Sequence, residues 1–491
     1  MSKLNAIAFA ALLALAAAQA DAKDTLVVAN PVEPPHLDPT THVAGSIREV
    51  VYANVFEGLA LIDRDGKPYP ALAESWSVSA DGRSFAFKLR PNIRFHDGAA
   101  FDASVVRFTL DRARGPNSVN ANKRIFEPIE AIETPDPLSV TIKLTRPVGS
   151  FIYDLGSADA AMVHPASAEE NKTKPVGTGP FAFKQWVKGD RVELVRHAGY
   201  WGEAAKLASV SFRFMSDPQA QVAALKTGAV DVVPNLGAAE LLADFRADRN
   251  FEVVVGLTEG EVVLAMNHRR APLGDVRVRR AIGHAIDRNA INDGAVAGLG
   301  KPIGTHFPPS SPDYLDLTAQ SAYDVAKAKA LLREAGVANG FEARLILPPF
   351  PYARRAGEII QAMLTEVGIR TNILVYQGPQ WLSDVFRGFD YEFTIIAHTE
   401  PFDFGNYARP DWYIGYTDAG FRDTIARWQA SNDATERSTL AKAAQRKLAD
   451  DAVVGFLFQL PQAAVMRRGL VGWWPNRPVQ ANDVTKAFWR D

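Results

Sequence analysis

Apolar residues along this chain fall two apart in some stretches and three or four apart in others, and the two spacings alternate. Residues 25–29 form a short apolar run that reads as a strand. The prolines at 31, 34, 35 and 39 forbid a helix directly after it. Ile47, Val50, Val51, Val55 and Leu59 then lie on one stripe and predict a helix over residues 47–59. The next hundred residues read as hairpins. Asp65-Gly66 and Asp81-Gly82 are turn pairs. Phe85, Phe87 and Leu89, and later Val140, Ile142 and Leu144, alternate with polar residues as half-buried strands do. Two more strands are predicted over 191–195 and 210–214, and Asp217-Pro218 opens a helix through Leu225. Near residues 262–267 the chain is expected to cross into another lobe. There the order is strand (343–347), helix (353–367), strand (372–376), a βαβ unit that predicts parallel pairing, with a third strand over 393–397. Residues 453–460 are apolar enough for a buried strand or hinge crossing, and the tail with Trp473, Trp474 and Trp489 is expected to pack back on the first lobe.

Gly177-Thr178-Gly179-Pro180-Phe181-Ala182 fits the spacing of a dinucleotide fingerprint. That fingerprint needs a helix starting at the second glycine, with free N–H groups aimed at phosphate. Pro180 removes one such donor, and Phe181 and Phe183 continue in strand alternation. A tight turn into a strand is the better reading. Asp275 opens a helix whose arginines are expected on a solvated face, above an apolar stripe of Val278, Ile282 and Ala285.

Several of these stretches resemble a known family. Val176-Gly177-Thr178-Gly179-Pro180-Phe181, followed by Arg196-His197-Ala198-Gly199-Tyr200-Trp201, is similar to the paired signature of the family 5 extracytoplasmic solute-binding proteins, the dipeptide, oligopeptide and nickel-type receptors of ABC importers. Leu37-Asp38-Pro39, Phe56-Glu57-Gly58-Leu59, residues 89–98 and residues 275–282 resemble family elements in the same order. The resemblance implies an α/β fold: a type II periplasmic-binding-protein-like clamshell of two α/β lobes with mixed sheets, plus an extra hairpin-rich subdomain. The expected divisions are a signal peptide (1–22), lobe I (23–56, 175–262 and a C-terminal return, 458–491), the subdomain (57–174) and lobe III (263–457).

Composition narrows the setting. Lys3, the apolar residues 7–18 and the small-x-small triplets Ala18-Gln19-Ala20 and Ala20-Asp21-Ala22 read as a cleavable export signal. The chain has 0 cysteines, which excludes disulfides, thiolate chemistry and a lipidated N-terminal cysteine, so a soluble periplasmic protein is expected. Net charge is −2, with no basic excess to suggest nucleic acid. No Gly-x-Ser-x-Gly, His-Glu-x-x-His or Walker lysine loop is present, and the nine histidines lack ligand spacing in sequence. No enzyme, cofactor or metal is expected, and a monomer is. An exported hydrolase is the enzymatic alternative.

The richest candidate segment is residues 398–413, which follows the strand at 393–397. Residues just past a strand's carboxyl end line the crevice of open α/β sheets. The peptide-binding branch has Trp-x-x-Asp here, with the aspartate on the ligand's amino terminus. By resemblance Asp403 is the nearest match and Glu400 a rival; the tryptophan is absent. His398 shares the segment, Tyr407, Trp412 and Tyr413 are candidate aromatic walls, and Arg409 is a candidate cation for a ligand carboxylate. Glu33 is a further candidate, because a glutamate of the oligopeptide branch faces the cleft. The dipeptide branch carries an arginine before a Pro-Tyr pair; here Phe350 precedes Pro351-Tyr352, which counts against dipeptide specificity. The implied partners are a peptide or peptide-like solute, or else an opine, sugar or metal chelate, together with the membrane permease subunits.

Overall fold

The computed structural model describes residues 23–490 other than Val43 and Ala121; the expected export signal lies outside the described residues. An 11-stranded mixed sheet runs through the molecule. On one side, Thr25–Asn30 pairs in parallel with Ser209–Phe214 and Val232–Val233, and Arg191–Arg196 and Phe181–Val187 extend the edge as an antiparallel hairpin. On the other side, Phe341–Leu347 pairs in parallel with both Ile369–Val375 and Phe393–His398. The helix Pro351–Glu366 connects the first two, so the expected βαβ unit is present. These are the two lobes of the clamshell.

Two long strands, Phe251–Met266 and Gly455–Arg467, belong to both lobes. They pair antiparallel from Phe251 to Leu257, lose register, and pair again from Glu261 to Leu264. At the break, Thr258 Oγ1 donates to the Leu460 carbonyl at 3.0 Å and accepts from Gly260 N–H at 3.0 Å. This break in register at residues 258–260 lies just before residues 262–267.

The hairpin-rich segment builds a separate four-stranded antiparallel sheet, with Ala103–Arg114 packed on it. Its inner positions include Phe85, Phe87, Val140 and Ile142, all buried as the alternation requires. The Asp-Gly turns have Gly66 and Gly82 at positive φ. The tail returns as expected: Trp473 and Trp489 pack on the first lobe's core, and Trp489 Nε1 donates to the Thr25 carbonyl.

Two expectations change. The helix predicted over 47–59 ends at Val51. Its stripe is still buried, but Ala53 adopts φ 59° and the carbonyls of Asn54 and Val55 accept from Phe181 N–H and Gly179 N–H at 2.9 Å each. Those carbonyls bind another segment instead of continuing a helix. The arginines of Val276–Ala285 also do more than face water. Arg279 is 5% exposed and donates to the carbonyls of Leu273, Gly274, Asp451 and Ala452, while Arg280 donates to Asp450. They cap the carboxyl end of the helix Ala434–Asp450, where free carbonyls favour cations.

The stretches that carry the family resemblance meet around one buried carboxylate. Glu57 accepts from Thr178 Oγ1 (2.8 Å), Tyr200 Oη (2.8 Å) and Trp201 Nε1 (2.9 Å). Gly177 and Gly179 have ordinary negative φ; they are needed for close approach. A Cβ on Gly177 would lie 1.9 Å from the Val55 carbonyl oxygen, and one on Gly179 would lie 2.6 Å from that of Asn54.

Gly177→Ala is therefore expected to destabilise the protein by about 1–3 kcal/mol through overpacking against backbone. Gly378→Ala, where nothing lies within 4 Å, should be close to neutral by the same urea titration. Burial pushes Glu57 up to about 7 from 4.5, against hydrogen bonds from Trp201, Tyr200 and Thr178 that act to lower it. The folded state thus favours its protonated form. The associated stability, about 3 kcal/mol, is complete below pH 4.5 and lost as pH rises through 7. Stability measured from pH 4.5 to 8 should fall less steeply in Glu57→Gln than in the parent.

Candidate functional site

Two adjoining cavities, about 920 and 510 Å³, lie where the lobes and the hairpin subdomain meet. They share Ser150, Tyr153, Glu259, Glu400, Phe402, Asp403, Trp428 and Pro478, and so form one cleft. The break between the long strands supplies Glu259 and Glu261. They are two residues apart, so the strand presents both to the same side. The loop after Phe393–His398 supplies Glu400 and Asp403, as expected for a crevice at a strand's carboxyl end. The hairpin subdomain supplies Tyr153 and the rim arginines Arg124 and Arg146, and lobe I supplies Arg48 and Asn235.

The carboxyl groups are close enough to interact. Asp403 Oδ1 lies 2.6 Å from His306 Nε2, and His306 Nδ1 lies 3.1 Å from Tyr407 Oη. Asp403 Oδ2 is 3.7 Å from His398 Nδ1, while His398 Nε2 meets Tyr413 Oη at 2.9 Å. Glu261 Oε2 is 4.0 Å from His306 Nε2. Burial, then the Asp403 charge, pushes Glu259 up to about 8. Glu261 is driven well above the carboxylate range by burial and by Asp403 and Glu259. Loss of water within the cleft also raises Glu400, with Asp159 and Asp403 adding to the rise and Arg48 and Arg124 opposing it. His398 is lowered to about 4, chiefly by burial.

Several cationic groups near the cleft already have partners. Arg48 Nη2 donates to both carboxylate oxygens of Asp159, at 2.9 and 3.1 Å, and Arg477 donates to Glu49 at the wall. Arg409 pairs with the exposed Asp411 at 2.8 Å. No ion pair joins Arg124 or Arg146 to another described residue. The result is a cleft with an acidic floor at the hinge and basic side chains on the hairpin-subdomain rim.

Of the eight residues singled out from sequence, Asp403, Glu400 and Arg409 line the cavities. His398, Tyr407, Trp412 and Tyr413 form a packed layer behind them. Tyr407 and Tyr413 are buried, with ring contacts between His398 and both Trp412 and Tyr413. They hold the floor in place and do not form the aromatic walls expected of Tyr407, Trp412 and Tyr413. The aromatic surfaces that reach the cavities are Tyr153, Phe402 and Trp428. Glu33 lines neither cavity. Its Oε1 accepts from Trp186 Nε1 and Gly189 N–H at 3.0 Å each, which ties down the turn of the edge hairpin. Phe350 is exposed away from both cavities.

Sequence reasoning missed Glu259, Glu261 and His306. A signal existed for the glutamates: two carboxylates flank Gly260 just before the apolar run Val262–Met266, a costly placement unless the strand passes a cavity. His306 carries no comparable mark, because its partners lie about 45 and 97 residues away.

Comparison with known proteins agrees with this geometry. Residues 67–418 match the model of the "Bacterial extracellular solute-binding proteins, family 5 Middle". The glutathione-binding protein GsiB of Salmonella paratyphi A is 32% identical over 349 residues, covering 69% of this chain and 67% of that protein. Among solved structures, the binding protein AgaA of A. tumefaciens, in complex with agropinic acid, is 27% identical with a TM-score of 0.78, covering 95% of this chain and 99% of AgaA. HbpA2 of Haemophilus parasuis shares the fold at a TM-score of 0.86 and 23% identity, covering 95% of this chain and 100% of that one. No described helix is long and apolar enough to cross a membrane. The chain belongs to family 5 of the bacterial extracellular solute-binding proteins, the substrate-binding components of ABC importers.

Proposed function

We propose that the cleft captures a peptide or peptide-like solute and delivers it unaltered to the permease, from the periplasm and as a monomer. The observation that carries this reading is the polarity of the cleft. The solute's ammonium group sits against Asp403 and Glu400, and its carboxylate faces the rim arginines Arg124 and Arg146. Charge-assisted hydrogen bonds of this kind gain strength where water is excluded. His306 and Tyr407 orient Asp403, so its carboxylate is fixed before the solute arrives. Closure of the lobes about residues 258–260 then requires only that the solute touch both sides. The cavity sizes suit a solute of a few residues.

A second cargo reading has a specific basis. AgaA was solved with agropinic acid and covers almost the whole chain. An organic acid of that kind would keep the carboxylate contacts while changing the partner of Asp403.

A panel of di- and tripeptides, glutathione and opines separates these by thermal shift. A true cargo at 100 times its Kd should add about 2.7 kcal/mol of stability and be recovered intact. Turnover of the solute, or no shift with any member of the panel, would overturn the proposal. For an amine-bearing cargo, Asp403→Asn should weaken binding by about 2–5 kcal/mol by calorimetry. Arg409→Ala should cost under about 1 kcal/mol, since its exposed pair with Asp411 already engages it.

A further inference from the structure

Glu259 and Glu261 lie on one strand and Asp403 on a separate loop, and all three line the smaller cavity. His306, from a third segment, stands between two of them: the three ligand atoms of Glu261, His306 and Asp403 lie within 4.8 Å of one another. Glu261 is a second and independent sign. It is 2% exposed, it lines the smaller cavity, and no other described residue donates a hydrogen bond to its carboxylate. A carboxylate so placed is costly unless a cation meets it.

We infer that Glu261, His306 and Asp403 form a binding site for a divalent transition-metal ion of the Zn²⁺ class, open on its cavity side to water or to the cargo. The donor set selects the ion. One imidazole and two carboxylates suit Zn²⁺ and its neighbours, and three protein ligands with an open fourth position is a common zinc arrangement. Mg²⁺ and Ca²⁺ prefer six or more oxygen donors and gain little from imidazole.

The layer behind the ligands fits this use. Tyr407 Oη lies 3.1 Å from His306 Nδ1, so it can accept Nδ1–H and leave Nε2 facing the two carboxylates with its lone pair. Metal binding would replace the present contact between Nε2 and Asp403 Oδ1, 2.6 Å apart, and release to solvent the proton that bridges them. His398, 3.7 Å from Asp403 Oδ2, steadies the other oxygen. An ion here would join the hinge strand, through Glu261, to the loop of lobe III, through Asp403. It would give the cleft a contact for carboxylate, thiolate or imidazole groups of the cargo. The inference rests on the cleft being the binding site but not on the cargo being peptide-like.

The test uses the whole exported protein, stripped with chelator, and ZnCl₂ alone, followed by calorimetry and thermal unfolding. One Zn²⁺ per chain and a raised melting temperature are expected, with no shift from MgCl₂ at the same concentration. Tyr407→Phe should weaken Zn²⁺ binding by about 10-fold to 100-fold. His306→Ala should abolish stoichiometric binding. Should that variant fail to fold by circular dichroism, Glu261→Gln, which keeps side-chain volume, reports instead and should lose binding likewise. Absence of 1:1 binding in the parent, or variants that bind Zn²⁺ as the parent does, would overturn the inference. So would a thermal shift with an organic dication such as agmatine and none with zinc. A peptide-like cargo that binds unchanged in excess EDTA while zinc does not bind would end this inference and leave the proposed function standing. One zinc per chain with no peptide-like cargo would do the reverse.

Discussion

The ladder between Phe251–Met266 and Gly455–Arg467 loses its pairing at residues 258–260, with a smaller register shift between Val262 and Val263, and the rest of the molecule is arranged around the longer interruption. A strand pair resists shear along its hydrogen bonds but bends where those bonds are missing. The break permits one sheet to serve two lobes. Glu259 lies within the break and Glu261 at the point where pairing resumes, and both line the smaller cavity. The C-terminal segment closes over the same point. Leu257 N–H and its carbonyl are taken by Asn476 Oδ1 and Arg477 N–H, at 3.1 and 2.9 Å, and a Cβ at Gly256 would lie 1.8 Å from the Pro475 carbonyl. The hinge is thus free in its own ladder but held from outside.

A second constraint anchors the hairpin subdomain to lobe I. Glu57 collects hydrogen bonds from Thr178, Tyr200 and Trp201, and the glycines on either side of Thr178 bring two backbones into contact. The subdomain carries Tyr153 and the basic rim, so the position of one wall of the cleft depends on this junction. Burying a carboxylate is costly, and three donors offset that cost only in this arrangement. Such a group favours one docking geometry over alternatives that would leave it without partners.

The charges of the cleft are divided unequally. Arg48, Arg409 and Arg477 are matched by carboxylates of the protein, whereas Glu259, Glu261 and Glu400 have no such partners and are held above their ordinary range. Arg124 and Arg146, at the exposed edge, have no ion-pair partner among the described residues, and burial favours the protonated forms of Glu259 and Glu261.

Much of the fold was legible along the chain. Alternation marked the strands Ser84–Leu89 and Ser139–Leu144, the βαβ order marked the parallel half of lobe III, and a loop after Phe393–His398 was expected at the crevice. The site was only partly legible. Asp403 and Glu400 lie on that loop and line the cavities. Tyr407, Trp412 and Tyr413 have the composition of a binding wall, yet they pack beneath the floor, because side-chain direction in an irregular loop follows no period. The end of the first helix at Val51 and the capping role of Arg279 depended on which distant carbonyls came within reach. By itself the sequence determined local periodicity, turn positions and the order of elements, all set by neighbours a few residues apart. Only the tertiary structure decided that Glu259, Glu261, His306 and Asp403 share one spot, because electrostatic coupling depends on distance in space, and 142 residues separate Glu261 from Asp403 in the chain.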